Sequence, residues 1–207
     1  EADEEMLNLV AQTAMTGKSA EADKEHLAEI CVEVAMAAPI EDINIVQRPN
    51  GKVQESTAIA GLLIDGEKLD HVMPDAVENP KIGLIAADID IPDYAQQLNV
   101  QLNDNSGVKE FIDSRNAQLV EIGERLKETG MNVLFCSREL HPAIIEHLAS
   151  NNIYAVRRVR RSDMEALANA TEARIVMNID TFSSKDLGTS ALLEEVNIGE
   201  RPMIKIT

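Results

Sequence analysis

Two carboxylates, Asp88 and Asp90, stand one residue apart just after the apolar run Ile82–Ala87. Such a pair at a strand exit can do phosphoryl chemistry, one carboxylate attacking phosphorus while the other protonates the leaving group. The same pair also reads as ordinary polar residues where a strand leaves its sheet. Thr16-Gly17-Lys18-Ser19 has the ending of a phosphate loop. The loop needs an earlier glycine and a preceding strand, and the sequence supplies neither, so it reads as a connection between helices. His26, His71, His141 and His147 show no spacing of zinc-binding quality. His141 and His147 share a short helix, but six residues apart they point to different faces.

The Asp88-Ile89-Asp90 arrangement resembles the start of haloacid-dehalogenase-type phosphatases. That family expects Thr or Val two residues after the second aspartate, where Pro92 stands, and its later aspartate pair is not evident. Arg157-Arg158-Val159-Arg160-Arg161 is the one basic cluster. It reads as a nucleic-acid patch or as a strand end whose arginines pair with carboxylates, its own or a neighbouring subunit's; the acidic background favours pairing. Helix 139–150 places Leu140, Ile144, His147 and Leu148 on an inward stripe. That leaves His141, Ile145 and Ala149 on another face at four-residue spacing. An exposed Ile145 there is either an ordinary surface residue or part of a surface for extended chains.

These residues are carried by 207 residues with 36 acidic and 19 basic side chains, a net charge of −17. So acidic a chain disfavours general nucleic-acid binding, which needs a basic surface. At 2% aromatic residues and no Trp, base-stacking platforms are disfavoured too. The core must be built from Ile, Leu, Val, Ala and Met. No apolar run nears 18 residues and no charged-then-apolar leader is present, so neither a membrane span nor a signal peptide is expected. Cys31 and Cys136 lie far apart in apolar runs, the pattern of buried thiols in a reducing, cytoplasmic setting. The chain opens on Glu1 without methionine, and an excised or processed piece is expected.

The positioning elements follow from periodicity. Helices are expected over 3–15 and 23–38, the second with a stripe of Leu27, Ile30, Cys31, Val34 and Ala38, and Pro39 ends it. Ile43–Gln47 reads as a short strand before the turn Pro49-Asn50-Gly51. Ala58–Ile64 leads into Asp65-Gly66, which suits a tight hairpin, and a domain boundary is placed near Gly61. Met73–Pro80 reads as an irregular crossing and Lys81–Asp88 as a strand buried on both faces. Leu98, Val100 and Leu102 alternate with polar residues in a half-exposed extended pattern. A long helix should run from Val108 to about Thr129, with Phe111, Ile112, Leu119, Ile122 and Leu126 as its stripe and Gly130 as its stop. Further strands are expected at Met131–Cys136, Ile153–Val156 and Arg174–Met177. Helices are expected at Pro142–Ser150 and about 163–170, the latter capped by Ser162 with Glu165, and a hairpin pairs Leu192–Val196 with Met203–Ile206. The alternation implies an α/β core with antiparallel additions.

Several of these segments, in order and spacing, resemble the group II chaperonins of the archaeal thermosome type. Thr13–Lys18 and helix 23–38 look like the first intermediate-domain segment. Gly61–Asp65, His71, Met73-Pro74 and Glu78–Ile82 are similar to the entry into the apical domain. Asn103-Asp104 and Phe111 fall where the helical protrusion turns into its helix. Gly130–Val133, Ile153–Arg158 and Ser183–Gly188 also match. Thr171-Glu172-Ala173-Arg174 departs from the family's usual Thr-Gly-Gly-Arg, and Asn151-Asn152 from its frequent Lys-Gly.

The resemblance implies an intermediate-domain segment over 1–60 and an apical domain over 61–207. The apical domain should have a layered β/β/α core and a protrusion over about 98–122 that forms part of a built-in lid. It implies that helix 139–150 and the cleft beside it bind non-native client proteins. The expected client-binding residues are then His141, Ile145, Ala149, Leu98, Val100, Leu102, Val108, Phe111 and Ile112. The family's Gly-Asp-Gly-Thr nucleotide loop is absent, so no catalytic residue, cofactor or metal is expected here. ATP and Mg²⁺ would act in the equatorial domain of a full-length parent, with sister subunits in a double ring as partners. A stand-alone holdase without an ATPase, and the phosphatase using Asp88 and Asp90, are the rival readings.

Overall fold

A computed structural model describes residues 3–40, 43–47, 50–90, 105–198 and 201–207, with the helical backbone alone over 105–116. The chain divides between Gly61 and Leu62 into two compact units.

In the first unit, α1 (Glu4–Met15) packs on α2 (Lys24–Ala37). Asp3 caps α1 by accepting from the Glu5 amide at 3.2 Å, satisfying one of the amides a helix start leaves orphaned. Ala28 and Val32 are the buried residues of α2, and Cys31 is exposed. The buried stripe is therefore rotated from the expected one, onto Ala28 and Val32, with Ile30 half-buried. Ile43–Gln47 belongs to no strand. Its apolar residues Ile45 and Val46 are exposed, so the run has β propensity without the partner a strand requires. A ring nitrogen of His26 bonds the Ser56 carbonyl at 3.0 Å, tying the later part of this unit to α2.

The second unit is a three-layer α/β structure. One antiparallel sheet has the order β1 (Leu62–Asp65), β9 (Arg201–Ile206), β8 (Leu192–Ile198), β2 (Ala76–Glu78). The other has the order β5 (Tyr154–Val156), β4 (Val133–Cys136), β3 (Lys81–Ile85), β6 (Ile175–Val176). Its strands run parallel, and β7 (Gly188–Thr189) joins β3 antiparallel. Between the sheets lies one core of Ile64, Leu193, Ile204 and Ile206 against Ile82, Leu84, Val133, Phe135 and Tyr154, closed by Met164 and Leu167 of α5 (Arg161–Thr171). On the outer face of the parallel sheet lies the second core. There Ile85, Leu134, Cys136 and Ala155 meet Leu119 and Leu126 of α3 (Asn105–Glu128) and Ile144, Leu148 and Ala149 of α4 (Pro142–Ser150). Strands buried on both faces account for the continuous apolar runs at 82–85 and 133–136.

Local expectations fare unevenly. The hairpin β8–β9 forms, with Leu192 and Thr207 exchanging backbone bonds at 3.1 and 2.9 Å. Asp65-Gly66 makes no hairpin, because β1 pairs with the distant β9. The Met73–Pro80 crossing contains β2, recruited by β8. α5 starts two residues earlier than its capping signal: Arg160 is the N-cap and Ser162 bonds its neighbour Asp163 instead. The capping box forms at Ser183 with Asp186. Glu172 takes φ +59° and Asn152 φ +56°, so both departures from glycine turns adopt the left-handed geometry.

Candidate functional site

At the carboxyl ends of the parallel strands, Asp88 is committed to structure. Its Oδ1 accepts from the Glu139 amide at 3.2 Å. Beside it Ile89 donates to the Glu139 carbonyl, and His141 to the Ile89 carbonyl, both at 3.0 Å. Ile89 is fully buried and bridges Leu140. Asp88 therefore clamps the entry to α4, and Asp90 is exposed beyond it. The basic cluster is paired within the chain. Arg157 and Arg158 meet Glu139, Arg160 meets Asp65 at 2.8 Å and Arg161 meets Glu165 at 2.8 Å. The phosphate-loop ending does not fit a nucleotide phosphate: it follows α1 rather than a strand, and the Gly17 amide already donates to Glu21 Oε2 at 3.1 Å. Among the described residues no group of three His, Cys, Asp or Glu could hold a metal, and no helix is long and apolar enough to cross a membrane.

α4 matches its expected bounds, with Pro142 in the first turn, where its missing N–H is harmless. His141 is the N-cap, its Nδ1 accepting from the Ala143 amide at 3.1 Å. The helix lies flat on the sheet with Ile144 and Leu148 innermost. The expected open face of His141, Ile145 and Ala149 is corrected by this packing. Ala149 is only 4% exposed and joins the core, and Ile145 is half-buried against it. His141 is half-buried by its capping role. The fully exposed line is Pro142, Glu146 and Ser150, rotated about one residue, roughly 100°, from the expected face. His147, expected on the inward stripe, lies half-buried on the flank toward α3.

That flank is a close approach. The His147 ring lies over Gly123 of α3, where a Cβ would stand 2.5 Å from the ring. Its Nε2 is buried, has no hydrogen-bond partner, and sits 3.5 Å from Glu124 Oε1. One turn earlier on α3, Val120 is 49% exposed. Further along, Arg125 pairs with Asp180 at 3.0 Å. Close by, Leu126, Thr129, Ile179, Phe182 and Ser184 line an open cavity of about 290 Å³. Gly123, Asp180 and Phe182 escaped the sequence reading. The signal for the first was a lone glycine inside a helical pattern, which usually marks close packing. Leu98, Val100 and Leu102 lie outside the described residues. Val108, Phe111 and Ile112 lie on the helical backbone of α3, with their side chains outside the described part. Beneath α4, burial pushes the Cys136 thiol up to about 11, and its Sγ donates to the Ala87 carbonyl at 3.3 Å.

The model of the TCP-1/cpn60 chaperonin family matches residues 1–207. A thermosome subunit of Methanocaldococcus jannaschii is 37% identical over 98% of this chain. The beta subunit of Thermoplasma acidophilum is 36% identical over all of it. The chain spans about two fifths of the length of these curated relatives, 39% and 40% respectively. An open-state monomer of a group II chaperonin from Methanococcoides burtonii superposes with a TM-score of 0.79 at 30% identity, over 99% of this chain and 48% of that one. These matches support the chaperonin reading over the phosphatase one, in keeping with the structural engagement of Asp88. A match over the full chain, with the same fold, shows that this chain belongs to the TCP-1/cpn60 chaperonin family and has the group II architecture.

Proposed function

We propose that this chain is the client-handling part of a group II chaperonin subunit, with 1–60 an intermediate-domain segment and 61–207 an apical domain. The observation that carries this is the superposition on an open-state chaperonin monomer over 99% of the chain. In this reading α3 and α4 form the working edge. The exposed Val120 of α3 offers apolar surface one turn from polar Glu124, and the half-buried Ile145 adds a partly open apolar residue on α4. Such a surface binds many extended chains weakly, and a ring of subunits multiplies weak contacts into useful avidity. The start of α3, with the segment before it, belongs to the lid. ATP and Mg²⁺ act elsewhere in the parent subunit, in a cytoplasmic double ring.

The test is light scattering of a heat-unfolding client protein, with the chain added free or as a biotinylated tetramer on streptavidin. Val120→Glu, at an exposed site, removes apolar surface from the proposed edge, and far-UV circular dichroism checks that it stays folded. The expected outcome is suppression by the tetramer that exceeds suppression by the free chain and is weakened by Val120→Glu. No suppression in either form overturns the reading.

A further inference from the structure

We propose that Asn50-Gly51 is a site of spontaneous, structure-permitted deamidation, and that the fold restrains several of the other candidate positions. The reaction is intramolecular. The Gly51 amide gives its proton to water or hydroxide and its nitrogen attacks Cγ of Asn50. The N–Cγ bond closes a five-membered succinimide, the Cγ–Nδ2 bond breaks, and ammonia leaves with the proton returned to it. Water then opens the ring at either carbonyl, giving aspartate or isoaspartate; nothing is oxidised or reduced.

Three features of the turn permit this. Asn50 and Gly51 are both exposed, so water reaches the carboxamide and the amide. Gly51 carries no side chain to shield its own nitrogen, and glycine moves through dihedrals closed to other residues. Asn50 sits at φ +62° in a turn, and the preceding run 43–47 is in no strand, so no ladder of hydrogen bonds resists the approach of nitrogen to Cγ. Exposed loops of this kind open at almost no free-energy cost.

Several alternatives among the described residues are held by something visible. Asp65-Gly66 is the one aspartyl-glycine step. There Asp65 Oδ2 is held by Arg160 at 2.8 Å, Asp65 is paired to Met203, and Gly66 lies against Val156 and Ile204. Asn79 precedes Pro80, which has no amide proton to lose. Asn132 Oδ1 accepts from the Lys81 amide at 2.6 Å and Asn178 Oδ1 from the Asp180 amide at 2.9 Å. Asn151 donates its carboxamide to the His147 carbonyl at 2.8 Å. Each conversion at residue 50 adds one negative charge. The isoaspartyl product also inserts a methylene into the main chain between α2 and the second unit.

The experiment follows the intact chain at mildly alkaline pH by peptide mapping with mass spectrometry, resolving the aspartyl and isoaspartyl forms. A synthetic peptide of residues 46–55 is run in parallel. The folded chain should convert at Asn50 within about tenfold of the peptide's rate, as expected for a loop that opens freely. Conversion at Asn50 should exceed that at Asn132 and Asn178, and Gly51→Ala should slow it on the order of tenfold. Arg160→Ala should raise isoaspartate at Asp65 and leave the Asn50 rate unchanged. A folded chain that converts at Asn50 far more slowly than the peptide, or another asparagine that converts first, overturns the proposal.

Discussion

Gly123→Ala tests whether the His147 ring sets the approach of α4 to α3. The new Cβ would lie 2.5 Å from Cδ2, 2.9 Å from Cγ and 3.2 Å from Nε2 of His147. Carbon contacts settle at roughly 3.5–4.0 Å, so ring and helix must part by about 1 Å. Overpacking of this kind costs about 1–3 kcal/mol. Alanine returns about 1 kcal/mol of helix propensity. The single substitution should therefore destabilise the second unit by about 0–2 kcal/mol. In a His147→Ala background the clash is gone, and the same substitution should stabilise by about 1 kcal/mol. The coupling between the two positions is then about 1–3 kcal/mol, measured as the difference between the stability change that Gly123→Ala causes with His147 present and with Ala at 147, from four urea unfolding curves followed by far-UV circular dichroism. Equal effects of Gly123→Ala in both backgrounds would refute the idea that the ring is what Gly123 accommodates.

Gly188→Ala should be worse than Gly123→Ala, by about 2 kcal/mol or more, because its Cβ would meet the Thr171 carbonyl, the Thr171 hydroxyl and Ala173 Cβ, all at 2.6 Å and none able to swing away; a urea midpoint equal to wild type would show that the loop yields. Glu172→Gly should stabilise by about 1 kcal/mol, since residue 172 sits at φ +59°, a conformation that penalises any Cβ; calorimetry that shows a loss would mean the Glu172 side chain matters more. A thiol reagent at mildly alkaline pH should titrate Cys31 in the native chain and Cys136 only after unfolding. The folded Cys136 keeps its proton up to about 11 while the unfolded thiol loses it near its ordinary value, so stability should fall as pH rises through that window; Cys136→Ala, with a flatter profile over the same window, is the check.

Much of the fold follows from signals that act over a few residues. Runs such as Ile82–Ile85 and Val133–Cys136 can only be strands buried on both sides, and they become the centre of the parallel sheet. Gly130, at φ +80°, stops α3 where expected. Long-range pairing was the part out of reach. Nothing within Leu62–Gly66 says that its partner lies at 203–206, so the Asp65-Gly66 signal read as a local hairpin. Ile43–Gln47 shows the converse: local propensity was present, and no partner strand met it.

The open face of α4 fails to show in the sequence for a related reason. A helix read alone has two faces, one apolar and one polar, and His141, Ile145 and Ala149 fell by elimination on the open one. In the structure α4 has a floor and a neighbour on one flank. The floor takes Ile144 and Leu148, the core extends round to Ala149, and α3 takes the flank of His147. What remains outside is the narrow polar line of Pro142, Glu146 and Ser150. Seated this way, α4 keeps its apolar residues on the sheet and its His147 flank on α3, so the apolar residue left exposed near that flank is Val120 of α3. The spacing of α3 and α4 is set where an imidazole rests on a glycine. Any substitution that lifts that ring changes the spacing of the two helices without touching Val120, so if the α3–α4 edge holds clients as proposed, loss of client binding in Gly123→Ala and its return in the double variant with His147→Ala would separate helix spacing from surface chemistry.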